Sequence, residues 1–218
     1  MGDAVRKAAL FEQLARVGKA LASGKRLELL DLLAQSERPV DALATAAGLN
    51  LTTASAHLQT LKQAGLVATR REGTKIFYRL AGDDVADLFV RAREVAAAHL
   101  PDVTAARDAY LGGQQMESIG RDELLRRVAA GQVTVLDVRP AGEYAVGHLP
   151  GAVNIPVDEL PARMSELPAD IEVVAYCRGP YCVFAHDAVR LLVQHGRRAA
   201  RLEDGVIEWR LAGQPVAV

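Results

Sequence analysis

LTTASAHLQTLKQAGLVATRREGTKIFYRL, residues 51–80, changes its period in the middle. Up to Gly65 the apolar residues Ala54, Leu58 and Leu61 recur at steps of three and four, which predicts one face of an amphipathic helix. Asn50 stands where an N-cap is needed and Gly65 where the helix must stop. Beyond it, VATRREGTKIFYRL alternates around a turn at Glu72-Gly73, as expected of a β-hairpin. The helix turns Thr52, Thr53, Ser55, Ala56, Gln59 and Lys62 away from its apolar face. Small hydroxyls, an amide and a lysine suit the major groove of DNA, where they reach base edges and phosphates without crowding. In the hairpin, Ile76, Tyr78 and Leu80 are expected to face inward, with Arg70, Arg71, Lys75 and Arg79 at the tip and outer face.

Charge agrees with that assignment. The whole chain carries a net charge of −1, yet between Asn50 and Leu80 Lys62, Arg70, Arg71, Lys75 and Arg79 face only Glu72. A basic island in a neutral chain is a footprint of phosphate contact. A solvated polar surface is the plainer reading of either feature alone, but a basic hairpin directly after such a helix has the order of recognition helix and wing. Upstream, Leu10, Phe11, Leu14, Val17 and Leu21 predict a first helix over residues 6–21. KRLELLDLLAQ, with Ser23 as N-cap, predicts a second, and VDALATAAG a short third ended by Gly48. The third helix, a tight turn and the helix of residues 51–65 form a helix-turn-helix, so the first half reads as a mainly α winged helix.

ALASGKRLELLDLL followed by LATAAGLNLTTASAHLQTLKQAGLVATRREGTKIFYRL resembles the ArsR/SmtB family of bacterial repressors over roughly residues 5–100. The resemblance implies a homodimer built from the first and last helices, residues 6–21 and 83–100, with Leu88, Phe89, Ala92, Val95 and Ala96 as the seam. Its two-fold symmetry would match a pseudo-palindromic double-stranded DNA operator. Many members sense metal through a Cys-x-Cys pair at the third helix, where this chain reads RPVDALA. The last helix has Asp84, Asp87, Glu94 and His99 but no second histidine at ligand spacing, and His57 and His99 read as packing or backbone partners. No metal is expected here. This half also contains no thiol, so any chemical input arrives elsewhere.

Past Leu100-Pro101 the helical text resumes through TAARDAY, and Leu111 to Gln115, with two glycines and two amides, is the natural linker. The expected division is 1–111 for DNA binding and dimerisation, 112–115 for the linker and 116–218 for a second domain. There RDELLRRVAAG, VDELPARMSEL and VFAHDAVRLLVQHG read as helices, and VTVLDV, VVAYC and AARLED as strands. That alternation predicts an α/β fold with a parallel sheet.

Both cysteines of the chain lie in CRGPYC, residues 177–182. Cys177 ends a predicted strand, and the loop runs into a helix, where ligands of parallel sheets bind. Gly179 lets the loop turn its N–H groups inward as an anion nest, and the following helix adds its dipole. Cys177 is therefore expected to titrate below a free thiol. LDVRPAGEYAVGHLPGAVNIP, residues 136–156, and the tail LEDGVIEWRLAGQPV resemble the rhodanese domain. With CRGPYC these give three motifs in order over residues 114–218.

The resemblance implies that Cys177 is the sulfur-accepting nucleophile and that Arg178, Gly179, Pro180, Tyr181 and Cys182 complete an anion-cradling loop. The reaction it implies takes a sulfane sulfur from a small donor, forms a cysteine persulfide and passes the sulfur to a thiol acceptor. Cys182 is either a resolving thiol, releasing hydrosulfide and closing a disulfide, or a packing residue at the helix start. Asp137 and Arg139 read as a structural ion pair near the site. Phosphatase relatives of the fold carry an arginine six residues after the cysteine; here that residue is Val183.

No apolar run approaches the roughly 20 residues of a membrane helix, and Arg6 stands where a myristoylation signal needs Ser or Thr. A cytoplasmic protein with reduced thiols, no membrane partner and no cofactor is the expectation. The leading reading is a repressor whose rhodanese domain couples reactive sulfur to DNA binding. Two others stand beside it: a promoter-associated sulfurtransferase without a sensing role, and a metalloid-responsive repressor using Cys177 and Cys182.

Overall fold

The computed structural model describes residues 2–112 and 116–218. Gly113, Gln114 and Gln115 of the expected linker lie outside the described residues. The chain divides into two compact units, Met1–Ala92 and Arg93–Val218.

In the first unit α1 (Gly2–Leu21), α2 (Gly24–Gln35), β1 (Arg38–Pro39), α3 (Val40–Ala46) and α4 (Leu51–Gln63) precede the hairpin β2 (Val67–Glu72) and β3 (Lys75–Leu80), and α5 (Asp83–His99) follows. The three strands form an antiparallel sheet in the order β1-β3-β2. Two ends show why the chain turns where it does. The N–H of Thr53 donates to Asn50 Oδ1 at 2.8 Å, satisfying one open donor at the start of α4. After α3, the Leu49 N–H donates to Ala44 O, with Gly48 in the left-handed region at φ 60°. Ser23 occupies the N-cap of α2 without a side-chain bond; its carbonyl accepts from Arg26 and Leu27 instead. Leu29, Leu30, Leu43, Ala54, Leu58 and Leu61 are fully buried and form the core.

The hairpin pairs Glu72 with Lys75, so its two-residue turn is Gly73-Thr74, one position later than expected, with Gly73 at φ 59°. Tyr78 and Leu80 are buried, but Ile76 is 45 % exposed, a correction to the inward placement expected of it. Along this face exposure rises from Leu80 and Tyr78 to Ile76, the one of the three next to the turn. On α1 and α5, Leu10, Phe11, Leu14, Leu88 and Val95 are exposed. Phe89, assigned to the seam beside them, instead points into the core at 8 % exposure.

The second unit begins in the last turns of α5. Leu100 is the N-cap of α6 (Pro101–Leu111), where proline fits because the first helical N–H needs no partner. Then come β4 (Ser118–Ile119), α7 (Arg121–Ala129), β5 (Val133–Asp137), α8 (Ala141–Tyr144), β6 (Val153–Asn154), α9 (Leu160–Arg163), β7 (Glu172–Tyr176), α10 (Val183–Gln194), β8 (Ala199–Leu202) and α11 (Val206–Leu211). All five strands pair in parallel, in the order β4-β8-β7-β5-β6. The helix expected over VDELPARMSEL is only α9 followed by a 3₁₀ turn, Met164–Glu166. Pro161 lacks the N–H that a helix begun further upstream would need there.

Residue alternation along β7 divides the core into two layers. Val173, Ala175 and Cys177 share one cluster with Ala185, Ala188, Val189 and Leu192 of α10. Val174 and Tyr176 share the other with Leu124 of α7 and Trp209 of α11. The sheet is thus covered on both faces. From β5 the chain proceeds outward to β6, and from β7 outward to β8. The strand order reverses between β5 and β7, and the crevice at their carboxyl ends is where a parallel sheet leaves room for a ligand.

Candidate functional site

That crevice holds the six-residue loop between β7 and α10. Cys177 follows the last residue of β7 and continues the alternation of Val173 and Ala175, so its side chain enters the α10 layer and is 3 % exposed. Cys182 is the N-cap of α10 and is half-buried. Both thiols are free, and each shifts the other's titration. The Cys177 thiol also lies 3.7 Å from Gly179 O and 3.5 Å from Cys182 O.

The electrostatics correct one expectation. Burial pushes the Cys177 thiol well above its ordinary value, with the Cys182 sulfur adding to the shift and the N–H groups of Ala185 and Gly179 opposing it. The hydrogen bond from Cys177 holds Cys182 below its ordinary value, against its own desolvation. Of the two, Cys182 is therefore the more readily ionised thiol in the reduced loop. The glycine nest and helix dipole expected to lower Cys177 are present but are outweighed by removal from water.

Arg178 does not turn inward to the sulfurs. Its guanidinium pairs with Glu143 of α8, the closest contact being 2.6 Å, and packs over the Phe184 ring. Glu143 is only 2 % exposed, so this is a largely desolvated charge pair fixing the start of the loop. Gly179 and Pro180 form the bend, and the Cys182 N–H closes it onto Gly179 O at 3.1 Å. The Tyr181 ring lies under the Arg93 guanidinium.

Beneath the loop, Asp137 and Arg139 form a fully buried ion pair at 2.6 Å. Arg139 also donates to Gly147 O, and the Tyr176 hydroxyl donates to Asp137 Oδ2 at 2.6 Å while accepting from the Leu149 N–H. The polar groups are mutually satisfied, which is the condition for charges to be tolerated in a core. Burial first, then Asp137, push the Tyr176 hydroxyl far up, so it remains a donor. This network ties β5 to β7 one residue before Cys177.

In the first unit, Thr52, Ala56, Gln59 and Lys62 lie exposed on α4, and Thr53 and Ser55 are half-buried. Gln59 donates to the Tyr78 hydroxyl at 3.2 Å and Lys62 to Thr69 Oγ1 at 3.0 Å, so helix and hairpin are fastened together. Arg70, Arg71 and Lys75 are exposed on the hairpin. Arg70 is held by Glu37 and Glu72, and Arg71 donates to Gly73 O. Sequence reasoning missed Glu37 and Glu143 as partners of Arg70 and Arg178. Glu143 stood in a quoted motif, but its pairing spans 35 residues. Among the described residues no three His, Cys, Asp or Glu side chains gather as a metal site, and no helix is long and apolar enough to cross a membrane.

Comparison with known proteins matches both halves. The family described as bacterial regulatory protein, arsR family, matches residues 23–69, and the rhodanese-like domain matches residues 120–212. An HTH-type transcriptional regulator of Mycobacterium tuberculosis is 60 % identical over 215 residues, covering 99 % of this chain and 95 % of that protein. A sulfurtransferase of Allochromatium vinosum is 35 % identical over 103 residues, covering 46 % of this chain and 94 % of that protein. A homodimeric winged helix-turn-helix domain from Mycobacterium bovis, solved in solution, is 65 % identical and covers 44 % of this chain and 90 % of that one, with a TM-score of 0.42. The chain belongs to the arsR family of bacterial regulatory proteins and carries a rhodanese-like domain after its winged helix.

Proposed function

We propose that this protein is a DNA-binding repressor that reads reactive sulfur through a persulfide on Cys177. The observation that carries the reading is the pair of free thiols, Cys177 and Cys182, in one loop at the switch point of the sheet. In this reading residues 1–111 bind the operator and dimerise, 112–115 link, and 116–218 handle sulfur. Thr52, Thr53, Ser55, Ala56, Gln59 and Lys62 meet the major groove, and Arg70, Arg71 and Lys75 meet phosphates. The exposed apolar residues of α1 and α5 form the seam of a homodimer, whose symmetry selects a pseudo-palindromic site.

The chemistry runs in two steps. The Cys177 thiolate attacks the sulfane sulfur of a donor such as thiosulfate; a Cys177–sulfur bond forms, and sulfite leaves with the electron pair of the broken S–S bond. The Cys182 thiolate then attacks Cys177 Sγ, forming the Cys177–Cys182 disulfide and releasing hydrosulfide. Before the first step Cys177 gives up its proton, and the neighbouring Cys182 thiolate is the base that takes it. A thiol acceptor that takes the outer sulfur instead resets the loop.

Intact-mass measurement after polysulfide treatment, on wild type, Cys177→Ser and Cys182→Ser, tests the chemistry. The expected result is one added sulfur that requires Cys177 and loss of two hydrogens only when Cys182 is also present. Operator binding measured on the same samples tests the coupling. Sulfur-dependent release that disappears in Cys177→Ser supports the sensor. Persulfide formation with unaltered DNA binding leaves a sulfurtransferase, the activity named for the Allochromatium relative.

A further inference from the structure

Arg93, near the middle of α5, reaches the sulfur loop. Its Nη2 pairs with Glu208 of α11, and the two side chains are nearly buried, 11 % and 13 % exposed. The guanidinium lies over the Tyr181 ring, 5.3 Å from the centroid. A Cβ on Gly179 would stand 3.5 Å from Arg93 Nη1 and from both carboxylate oxygens of Glu208. Glu208 also accepts from the Gly205 N–H at 2.8 Å, and Gly205 backs onto the Arg178 carbonyl. Directly or through Gly205, one ion pair therefore meets the loop at Arg178, Gly179 and Tyr181, all of them between the two cysteines. Removing either partner of a pair this far out of water leaves a charge stranded. The loop thus cannot shift far without carrying the pair along or breaking it.

Sulfur on Cys177 forces such a shift. Its Sγ already lies 3.7 Å from Gly179 O and 3.5 Å from Cys182 O, and the residue is 3 % exposed. A further sulfur on a bond of about 2 Å must displace packed neighbours. Closing the Cys177–Cys182 disulfide redraws the same loop residues. We propose that Arg93 carries the sulfur state of the loop into α5, as a positioning residue and not a catalytic one. This rests on the persulfide reading above and adds the route by which the loop acts on DNA binding. α5 is one continuous helix, Asp83–His99, with Phe89 and Val90 buried in the core of the first unit. Ala92, Val95 and Ala96 of the expected dimer seam stand on either side of Arg93 in the chain. The backbone hydrogen bonds of a helix tie each turn to the next, so a displacement at Arg93 reaches those residues. A dimer fits two half-sites only at the spacing its seam sets. By linkage, bound DNA favours the unreacted loop by the same factor.

The probe is a duplex selected from a random-sequence pool by the reduced, full-length protein. Its affinity is measured before and after polysulfide treatment, in which Cys177 takes one sulfur and the polysulfide leaves one atom shorter with the electron pair. Intact mass on the same samples reads the reaction at Cys177, as added sulfur or as the disulfide that follows. Each variant is compared with itself, so a change in overall affinity does not imitate lost coupling. Treatment of wild type is expected to weaken binding at least about tenfold, within the span of coupling between two sites. Arg93→Gln is expected to react at Cys177 all the same, with the ratio of treated to untreated affinity returning to about one. Glu208→Gln keeps an acceptor for the Gly205 N–H but ends the ion pair, so it should behave alike and decides the matter if Arg93→Gln does not fold. Arg93→Lys should keep part of the effect. The wild-type effect retained in both Gln variants overturns the route through Arg93 and leaves the sensor standing. Wild type that reacts but binds unchanged overturns the sensor and this route together. Wild type that does not react overturns the persulfide reading beneath both.

Discussion

Gly205 lies directly against the carbonyl of Arg178: a Cβ at position 205 would fall 2.1 Å from that oxygen and 2.4 Å from the Gly179 nitrogen. Its backbone, at φ −111° and ψ −172°, suits any residue, so the requirement for glycine is purely steric. The obstructing atoms are backbone and cannot rotate away. Gly205→Ala must displace the sulfur loop or the start of α11. We expect a stability loss of about 1–3 kcal/mol in denaturant unfolding. Sulfur loading at Cys177 should also drop at least about tenfold, because the reacting geometry depends on the loop. A variant that unfolds and loads as wild type does would show that this contact does not hold the loop.

The two thiols should titrate as a pair, with the order reversed from the expectation for an isolated rhodanese cysteine. Removing Cys182 takes away both the hydrogen bond and the charge that raise Cys177. The Cys177 pKa in Cys182→Ser is therefore expected to fall relative to wild type, though burial still keeps it high. Removing Cys177 takes away the hydrogen bond that lowers Cys182, so the Cys182 pKa in Cys177→Ser should rise. Thiolate absorbance against pH in the two single variants measures both shifts. Shifts in the opposite directions would mean that the hydrogen bond runs from Cys182 to Cys177.

These cases mark what can be read before folding. The period of residues 51–80 and the strand–loop–helix order around CRGPYC depend on near neighbours, and the fold class follows from them. The direction of the Cys177 shift depends on α10 closing over the sulfur, which no local pattern announces. Likewise β4 and β6 are two residues each and exist only because β8 and β5 offer them an edge. Glu143 is an acid in a motif until the fold places it on Arg178. Ile76 satisfies strand alternation, but it lies at the turn end of the ribbon and is exposed.

His186 should make the protein acid-sensitive. Burial, then the charges of Arg201 and Arg190, hold its pKa down to about 4, with Asp187 opposing and Arg107 adding slightly. In the unfolded chain it titrates near the ordinary histidine value, about 6.5. Between those values the unfolded state binds a proton that the folded state does not, so stability falls as pH falls through that window. The full loss is about 3 kcal/mol, complete below the folded pKa. Denaturant unfolding from pH 7 to pH 4 should show this limb in wild type and a flatter one in His186→Gln. Parallel curves would assign the acid sensitivity to other groups.

The hairpin arginines should differ in their contribution to DNA binding. Arg70 is held by Glu37 and Glu72, so much of its charge is balanced before DNA arrives. Arg71 and Lys75 have no carboxylate partner among the described residues. Taking one cation off a phosphate should reduce the slope of log affinity against log salt by about 0.9, twice over in a dimer. We expect that change from Arg71→Ala and from Lys75→Ala, and a smaller one from Arg70→Ala. Glu37→Gln should do the reverse: freeing Arg70 from one acid strengthens binding at low salt and steepens the slope. Titrating a generic duplex at several salt concentrations is enough, because the phosphate contribution does not depend on sequence. Equal slopes in all four variants and wild type would mean that the protein meets the phosphates with residues outside the hairpin.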